Sequence, residues 1–183
     1  MEDKGSILIN IARCAISQEL DIACQYSINN APFLKEKGAT FVTLTSYGQL
    51  RGCIGSLDAR RLLGEDVKHN AIAAAFHDSR FNPVTRNELA ALRIEISLLS
   101  PAERIFFNSQ EDALEQLQPG IDGVILEYEG RRSTFLPQVW EGLPTVQEFM
   151  EHLKVKAGLE AGFWDKAVRL SRYSVIKWQE SDE

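Results

Sequence analysis

The chain has 183 residues, of which 44% are hydrophobic and 25% charged, and its 20 Lys and Arg against 26 Asp and Glu leave a net charge of −6. This length indicates a domain with its own core, and the composition excludes a disordered chain, a collagen and a coiled coil. The negative charge disfavours nucleic-acid partners. Without a signal peptide or an apolar run of membrane-helix length, the sequence predicts a soluble, reduced, cytoplasmic protein.

The first predicted element is an amphipathic helix from Ser6 to about Asn30, either continuous or broken near Leu20–Asp21. Cys14 and Cys24 lie at the edge of its apolar stripe. A continuous helix separates them by roughly 15 Å, so we expect no disulfide and interpret both as packing residues. The three cysteines and three histidines show no metal-ligand spacing, and neither a metal site nor a cofactor is predicted.

The following elements are a β-hairpin, two helices and a strand, recognised by β-branched and aromatic runs and by apolar residues at helical spacing. They are a strand over 39–45, a turn at 46–48, a strand over 49–57, a helix over 65–76, a short helix begun by the capping box Thr85-Arg86-Asn87-Glu88, and a strand over 92–98.

The second half of the chain again combines single helices with a hairpin. Its elements are a helix from the cap Ser109 through Leu117, strands over 124–128 and 131–136 around Glu129-Gly130, a helix opened by Thr145 and stopped at Gly158, and a strand over 168–178. Because hairpins and separate helices replace a regular strand–helix alternation, the sequence predicts an α+β fold with an antiparallel β-sheet and packed helices.

One segment does not fit ordinary strand composition: residues 50–57 read LRGCIGSL. Gly52 and Gly55 weaken a strand because they add backbone entropy and offer no side chain to pack. They can mark a bulge or a close approach of two backbones, with Cys53 as a small core residue. They can also present backbone N–H groups to an anion, assisted by Arg51.

A third interpretation makes Cys53 reactive. Strict alternation along the strand puts Arg51 and Cys53 on one face. Leu50 and Ile54 then share the other face. A neighbouring cation and solvent access are the two requirements of a reactive thiol, so Cys53 is a candidate nucleophile.

The segment 50–57 resembles the signature of the AMMECR-one domain family, and the resemblance continues in order through nearly the whole chain. The other matching blocks are Ala39–Leu44, Asp78–Pro83, Ile94–Pro101, Pro119–Gly123 and Thr134–Trp140. The resemblance implies one α+β domain over residues 1–183 with two unequal lobes, the larger built from the N- and C-terminal parts and the smaller from a middle segment.

The resemblance implies no defined reaction, because the family has none established. Its prokaryotic members often accompany Memo-like and radical S-adenosylmethionine proteins, which implies such partners and a shared modification pathway. This chain lacks the Cys-x3-Cys-x2-Cys iron-binding cluster of the radical enzymes, so their activity is not transferred to it.

Two charged residues and one histidine are further candidates. His77 is a weak candidate base or, at the end of its predicted helix, a partner of the helix dipole. Arg80 is a ligand clamp or one half of an ion pair that holds its loop. Glu95 is a base near Cys53 if its side of the strand faces the hairpin, and otherwise an exposed or cross-strand paired carboxylate.

Gln138 and Trp140 follow a proline in a region predicted to be irregular. An amide and an aromatic ring together can line a ligand site, whereas a tryptophan in a loop is more often a packed lid.

Two functions therefore stay open. In the first, the protein is an enzyme or enzyme component whose pocket contains Arg51, Cys53, Arg80 and Glu95, takes a small anionic ligand and carries out acyl or other group transfer. In the second, it is a non-catalytic protein-binding module in which the glycine-rich segment is structural.

Overall fold

The structure, a computed structural model, describes residues 3–24 and 31–180 and is α+β, as predicted. Its α-helices are α1 Lys4–Glu19, α2 Leu63–Phe76, α3 Gln110–Glu115 and α4 Val146–Lys156. Its strands are β1 Ala39–Ser46, β2 Gln49–Gly55, β3 Leu92–Leu99, β4 Glu103–Ile105, β5 Gly123–Tyr128, β6 Arg131–Phe135, β7 Arg169–Tyr173 and β8 Val175–Gln179. Short 3-10 helices span Pro32–Lys35, Arg86–Ala91 and Pro137–Glu141.

The strands form two sheets, with strand orders β2-β1-β3-β8 and β4-β7-β5-β6. The described part of the chain divides into two compact units. The first unit holds the residues up to Leu99 together with those from Ile176 onward, and the second is Ser100–Val175.

In the first unit, α1 and α2 cover one face of the sheet. Their apolar residues pack against alternate residues of β1 and β3; this core includes Leu8, Ile16, Val42, Leu44, Val67, Ala71, Ile94 and Ile96. Successive strand residues point to opposite faces, so Thr43 and Glu95 lie on the other side. We call the side that carries Thr43 the outer face.

The predicted capping and turn residues are confirmed. Thr85 and Glu88 form the predicted capping box of a 3-10 helix. The side chains of Ser109 and Thr145 cap α3 and α4. Both hairpins turn on residue pairs with positive φ, namely Tyr47-Gly48 and Glu129-Gly130.

The largest differences from the prediction concern two elements. The strand expected over 168–178 is two strands, because β7 pairs in the second sheet and β8 in the first, with Ser174 between them. The first helix ends at Glu19 rather than near residue 30, and Asp21 beyond it has a φ of 53°. Residues 25–30 of that predicted helix lie outside the described residues.

The early end of α1 overturns the interpretation of Cys14 and Cys24, which form a disulfide with a Cα–Cα distance of 4.9 Å. The chain reverses at Asp21, and the backbone N–H of Ile22 donates to the carbonyl of Ser17 at 2.9 Å. Cys24 therefore returns beside α1 instead of lying farther along a helix. The expectation of two separate packing cysteines, based on a continuous helix, is wrong, and so is the prediction that all cysteines are reduced.

The disulfide predicts how many cysteines can be alkylated. Protein denatured without reductant should take up iodoacetamide at Cys53 alone, and reduction should expose Cys14 and Cys24 as well. Reduction should also lower the free energy of unfolding by about 2–3 kcal/mol, because it removes a constraint on the unfolded chain. Intact mass spectrometry counts the labels, and three labels on protein never exposed to reductant would show that the bond does not form.

Candidate functional site

The register between β1 and β2 shifts at Arg51, and this β-bulge breaks the predicted alternation. Leu44 lies opposite Gly52, but Thr45 lies opposite Leu50, so Arg51 is an additional residue on β2. Leu50, rather than Arg51, therefore shares the outer face with Cys53. The predicted placement of Arg51 and Cys53 side by side in the alternation is wrong, because a bulge adds one residue to the count.

Arg51 is instead bound to Glu88. Its Nε lies 2.8 Å from Glu88 Oε1, and its side chain is 15% exposed. The hydrogen bond from Arg51, followed in importance by those from the backbone and hydroxyl of Thr85, lowers the pKa of Glu88 to about 2. Arg51 thus joins β2 to the 3-10 helix Arg86–Ala91.

The two glycines of β2 occupy places where a side chain does not fit. A Cβ at Gly52 would lie 2.1 Å from the carbonyl oxygen of Ala74 in α2. A Cβ at Gly55 would lie 2.2 Å from the ring of Phe41. The glycines therefore permit close packing of β2, as one of the sequence interpretations predicted.

Cys53 lies on the outer face, half-buried, with its backbone held on both sides. Its Sγ is 3.3 Å from the hydroxyl of Thr43, which lies opposite it on β1. Its N–H donates to Asp78 Oδ2 at 2.9 Å, and its carbonyl accepts from Arg80 Nη2 at 3.3 Å. Because Asp78 occupies the N–H of Cys53, that group is not available to an anion.

Asp78 and Arg80 form a bidentate ion pair at the edge of β2. Arg80 Nη2 lies 2.6 Å from Asp78 Oδ2, and Arg80 Nε lies 2.9 Å from Asp78 Oδ1. The hydrogen bond from Arg80 lowers the pKa of the buried Asp78 carboxyl well below its usual range. The Arg80 side chain is 54% exposed, so a solvent-accessible guanidinium lies next to Cys53.

Glu95 lies too far from Cys53 to act as its general base, because strand β1 separates the two residues. Thr43 pairs with Cys53 on one side and with Glu95 on the other, which puts the two Cα atoms roughly 10 Å apart. Glu95 Oε1 lies 3.5 Å from Lys177 Nζ. The structure thus places Glu95 in an ion pair on the outer face, and it is not brought to Arg51.

Of the other sequence candidates, His77 lies in the first unit and two lie in the second. His77 is exposed where α2 ends. Gln138 and Trp140 belong to the second unit, in the 3-10 helix Pro137–Glu141. Trp140 is buried, donates from Nε1 to the carbonyl of Asp122 at 2.8 Å and stacks on Phe149 with ring centroids 3.7 Å apart.

Sequence reasoning missed a buried carboxylate, Asp66 of α2, which is 0% exposed. Its oxygens accept hydrogen bonds at 2.8 to 3.3 Å from the backbone and hydroxyl of Thr40, Ser56 Oγ, Asn70 Nδ2 and Arg61 Nη1. The available signal was its spacing, because Asp66 and Asn70 fall on the helix face that also carries buried apolar residues. These bonds connect α2 with β1 and with the residue that follows β2.

Within the described residues, 3–24 and 31–180, no cluster of three or more His, Cys, Asp and Glu side chains is placed to hold a metal ion. None of the helices in that part of the chain is long and apolar enough to cross a membrane.

Comparison with known proteins gives a consistent result over nearly the full length. The family model described as AMMECR1 matches residues 9–178. The chain is 35% identical to protein MJ0810 of Methanocaldococcus jannaschii, covering 97% of this chain and 90% of that one. It is 34% identical to protein TV1384 of Thermoplasma volcanium, again covering 97% of this chain and 90% of that one. The crystal structure of the uncharacterised protein PH0010 from Pyrococcus horikoshii superposes with a TM-score of 0.86 at 32% identity, covering 98% and 93% of the two chains.

Proposed function

The chain belongs to the AMMECR1 family, and from that premise we propose that it is a cytoplasmic component of a modification pathway, acting through the thiol of Cys53. The partners proposed for it are the Memo-like and radical S-adenosylmethionine proteins that the family resemblance implies. The reaction class proposed is transfer of an acyl or similar group.

The observation that carries this proposal is the fixed position of Cys53 beside an exposed cation. Asp78 accepts from the backbone N–H of Cys53, and Arg80 donates to its carbonyl. The backbone that carries the thiol is therefore fixed at both groups. The guanidinium of Arg80 is paired with Asp78 but stays 54% exposed, so it can receive an anionic group of a substrate beside Cys53. Cys53 is also the cysteine left free when Cys14 and Cys24 are bonded.

In the proposed step, the sulfur of Cys53 attacks the carbonyl carbon of an acyl donor. A carbon–sulfur bond forms, and the bond to the leaving group breaks with its electron pair. The proton of the thiol passes to the leaving group, and Thr43 is the hydroxyl near enough to the sulfur to assist. An acceptor nucleophile then attacks the thioester, the carbon–sulfur bond breaks with its electron pair on the sulfur, and the proton of the acceptor restores the thiol.

Alkylation of Cys53 tests the role of Arg80. We expect Arg80→Gln to slow the reaction of native protein with iodoacetamide at pH 7 by about three- to tenfold, because it leaves the negative charge of Asp78 unpaired beside the reacting sulfur. Arg80→Lys keeps the charge and should keep most of the rate. Arg60→Gln removes an arginine of the same unit that is also paired with an aspartate two residues away, although its side chain is more exposed at 83%, and serves as the control.

The rate is measured from the mass of the labelled protein over time. Equal rates for Arg80→Gln, Arg60→Gln and the unmodified sequence would remove the physical basis for a reactive Cys53.

The alternative is a non-catalytic protein-binding module, and two observations favour it. Gly52, Gly55 and Arg51 all have packing or ion-pair roles inside the first unit. The β1–β2 hairpin also exposes two large side chains, Tyr47 at 89% and Leu50 at 44%.

A pull-down with the Memo-like companion distinguishes the two functions. If the protein is a binding module, the double variant Tyr47→Ala, Leu50→Ala should lose about tenfold or more of its captured companion, because an aromatic anchor such as Tyr47 carries a large share of interface binding energy. Cys53→Ser should bind like the unmodified protein. Capture that persists in the double variant would contradict this alternative.

A further inference from the structure

A cavity of about 440 Å³ lies at the turn of the β5–β6 hairpin in the second unit. It is lined by three arginines, Arg131, Arg132 and Arg169, together with Tyr128 and two carboxylates, Glu127 and Glu129. Cavities of this volume accommodate small-molecule ligands. None of these residues contributes to the Cys53 site.

The cavity concentrates positive charge in an acidic part of the chain. Residues 100–175 contain twelve Asp and Glu but eight Lys and Arg, and three of those eight line this one cavity. All three arginines are exposed. A cavity with an excess of positive charge raises the local concentration of anions.

The strand register sets two of the arginines on either side of one carboxylate. Glu127 of β5 pairs with Arg132 of β6 and with Arg169 of β7, so the three side chains form a row on one face of the sheet. Arg132 Nε lies 3.6 Å from Glu127 Oε1. Arg169 makes no ion pair with any residue in the described part of the chain. One carboxylate therefore faces two guanidinium groups, and one positive charge is left over.

The third arginine is held in place at the edge of this row. Its Nη1 donates to the carbonyl of Gly158, which fixes the guanidinium of Arg131 at the cavity. The ring of Tyr128 packs against Phe163, with centroids 4.8 Å apart, which fixes a second wall. The cavity is therefore lined by groups that other contacts already position.

We propose that this cavity binds the phosphate group of a small ligand, with Arg132 and Arg169 as its main contacts. The Cα atoms of these two residues are separated by two strand spacings, roughly 10 Å, so the long side chains can close on one anion from opposite sides. A carboxylate has two oxygens and satisfies one guanidinium fork. A phosphate has oxygens for both forks and up to two negative charges.

Glu127 competes with such a ligand for Arg132. Its side chain is 47% exposed and its contact with Arg132 is long, so the carboxylate can turn toward water when an anion enters. Replacement of Arg169 and replacement of Glu127 should therefore change phosphate binding in opposite directions.

Isothermal titration calorimetry with inorganic phosphate and with pyrophosphate tests the proposal. We expect saturable binding that weakens as sodium chloride rises from about 50 to 200 mM, because salt screens exposed charges. Arg169→Gln should weaken binding by about tenfold or more, because it removes the uncompensated guanidinium. Glu127→Gln should strengthen binding by about threefold or more, because it removes the competing charge.

Arg104→Gln is the matched control, since Arg104 is an arginine of β4 in the same sheet whose guanidinium lies over the ring of Phe106 instead of in the cavity. It should bind pyrophosphate like the unmodified protein. Absence of saturable heat up to about 10 mM pyrophosphate, a concentration that would nearly saturate a site with a Kd of about 1 mM, would overturn the proposal. So would equal effects of Arg169→Gln and Arg104→Gln, or tighter binding of citrate, a carboxylate ligand, than of pyrophosphate.

Discussion

Replacing Asp66 with alanine is expected to lower the free energy of unfolding by about 3–5 kcal/mol, the range for losing one partner of a buried charged network. The carboxylate is fully buried and accepts five hydrogen bonds. Without it, the backbone N–H and hydroxyl of Thr40 and the amide of Asn70 keep no carboxylate partner in a site closed to water. Unpaired buried donors cost more than the bonds contributed, because water cannot replace the lost acceptor.

Asp66→Asn should cost about half as much. Its one amide oxygen can still accept from Thr40 and Asn70, while its NH2 group turns toward Ser56, whose hydroxyl can rotate to accept. The contact with Arg61 is then lost.

The control for Asp66 is its neighbour Glu65, which is exposed in the first turn of the same helix. Glu65→Ala removes the same charge and should change the free energy of unfolding by less than about 0.5 kcal/mol. Urea denaturation followed by circular dichroism measures both variants. Similar midpoints for Asp66→Ala and Glu65→Ala would show that the buried network does not stabilise the first unit.

Replacing Gly52 with alanine is expected to cost about 3 kcal/mol, the upper part of the usual range for overpacking. The added methyl would lie 2.1 Å from the carbonyl oxygen of Ala74, and a helix backbone cannot rotate aside as a side chain does. β2 must therefore move away from α2, which also disturbs the hydrogen bonds that hold Cys53.

Alanine substitutions at two other glycines of the same unit distinguish steric overlap at Gly52 from a general effect of replacing glycine with alanine. Gly55→Ala meets the ring of Phe41, a side chain that can shift, and should cost less than Gly52→Ala. Gly64→Ala, in the helix that Gly52 contacts, meets only ordinary contacts with Leu34 at 3.6 Å or more, and should stabilise the protein by up to about 1 kcal/mol. A loss no larger for Gly52→Ala than for Gly55→Ala, again in urea denaturation, would contradict the close approach of β2 to α2.

Local sequence signals predicted most of the elements because each depends on a few adjacent residues. The caps at Thr85, Ser109 and Thr145 were identified from a hydroxyl residue at the start of a helical pattern. Both hairpin turns were identified from a residue pair that ends in glycine, Tyr47-Gly48 and Glu129-Gly130. Wrong boundaries occurred where one apolar pattern ran through a change of direction, at Asp21 and at Ser174.

The candidate site was predicted in its location but not in its partners. The sequence singled out LRGCIGSL, and that strand does carry the free thiol. A bulge was one interpretation of Gly52 and Gly55, but its position at Arg51 depends on the pairing of two strands. One inserted residue reverses the faces of the residues before it. The sequence did not identify Asp66, because the role of a carboxylate on an apolar helix face is defined by the remote groups that donate hydrogen bonds to it.

The sequence by itself determined the α+β class, the antiparallel hairpins, the helix caps and the family, since periodicity, turn chemistry and matched blocks are all readable along one chain. Tertiary structure alone decided which charged groups meet. It paired Arg51 with Glu88, Arg80 with Asp78 and Glu95 with Lys177, and it joined Cys14 to Cys24. The physical reason is distance along the chain: propensity acts over a few residues, whereas ion pairs, disulfides and close backbone packing depend on how remote segments come together in space.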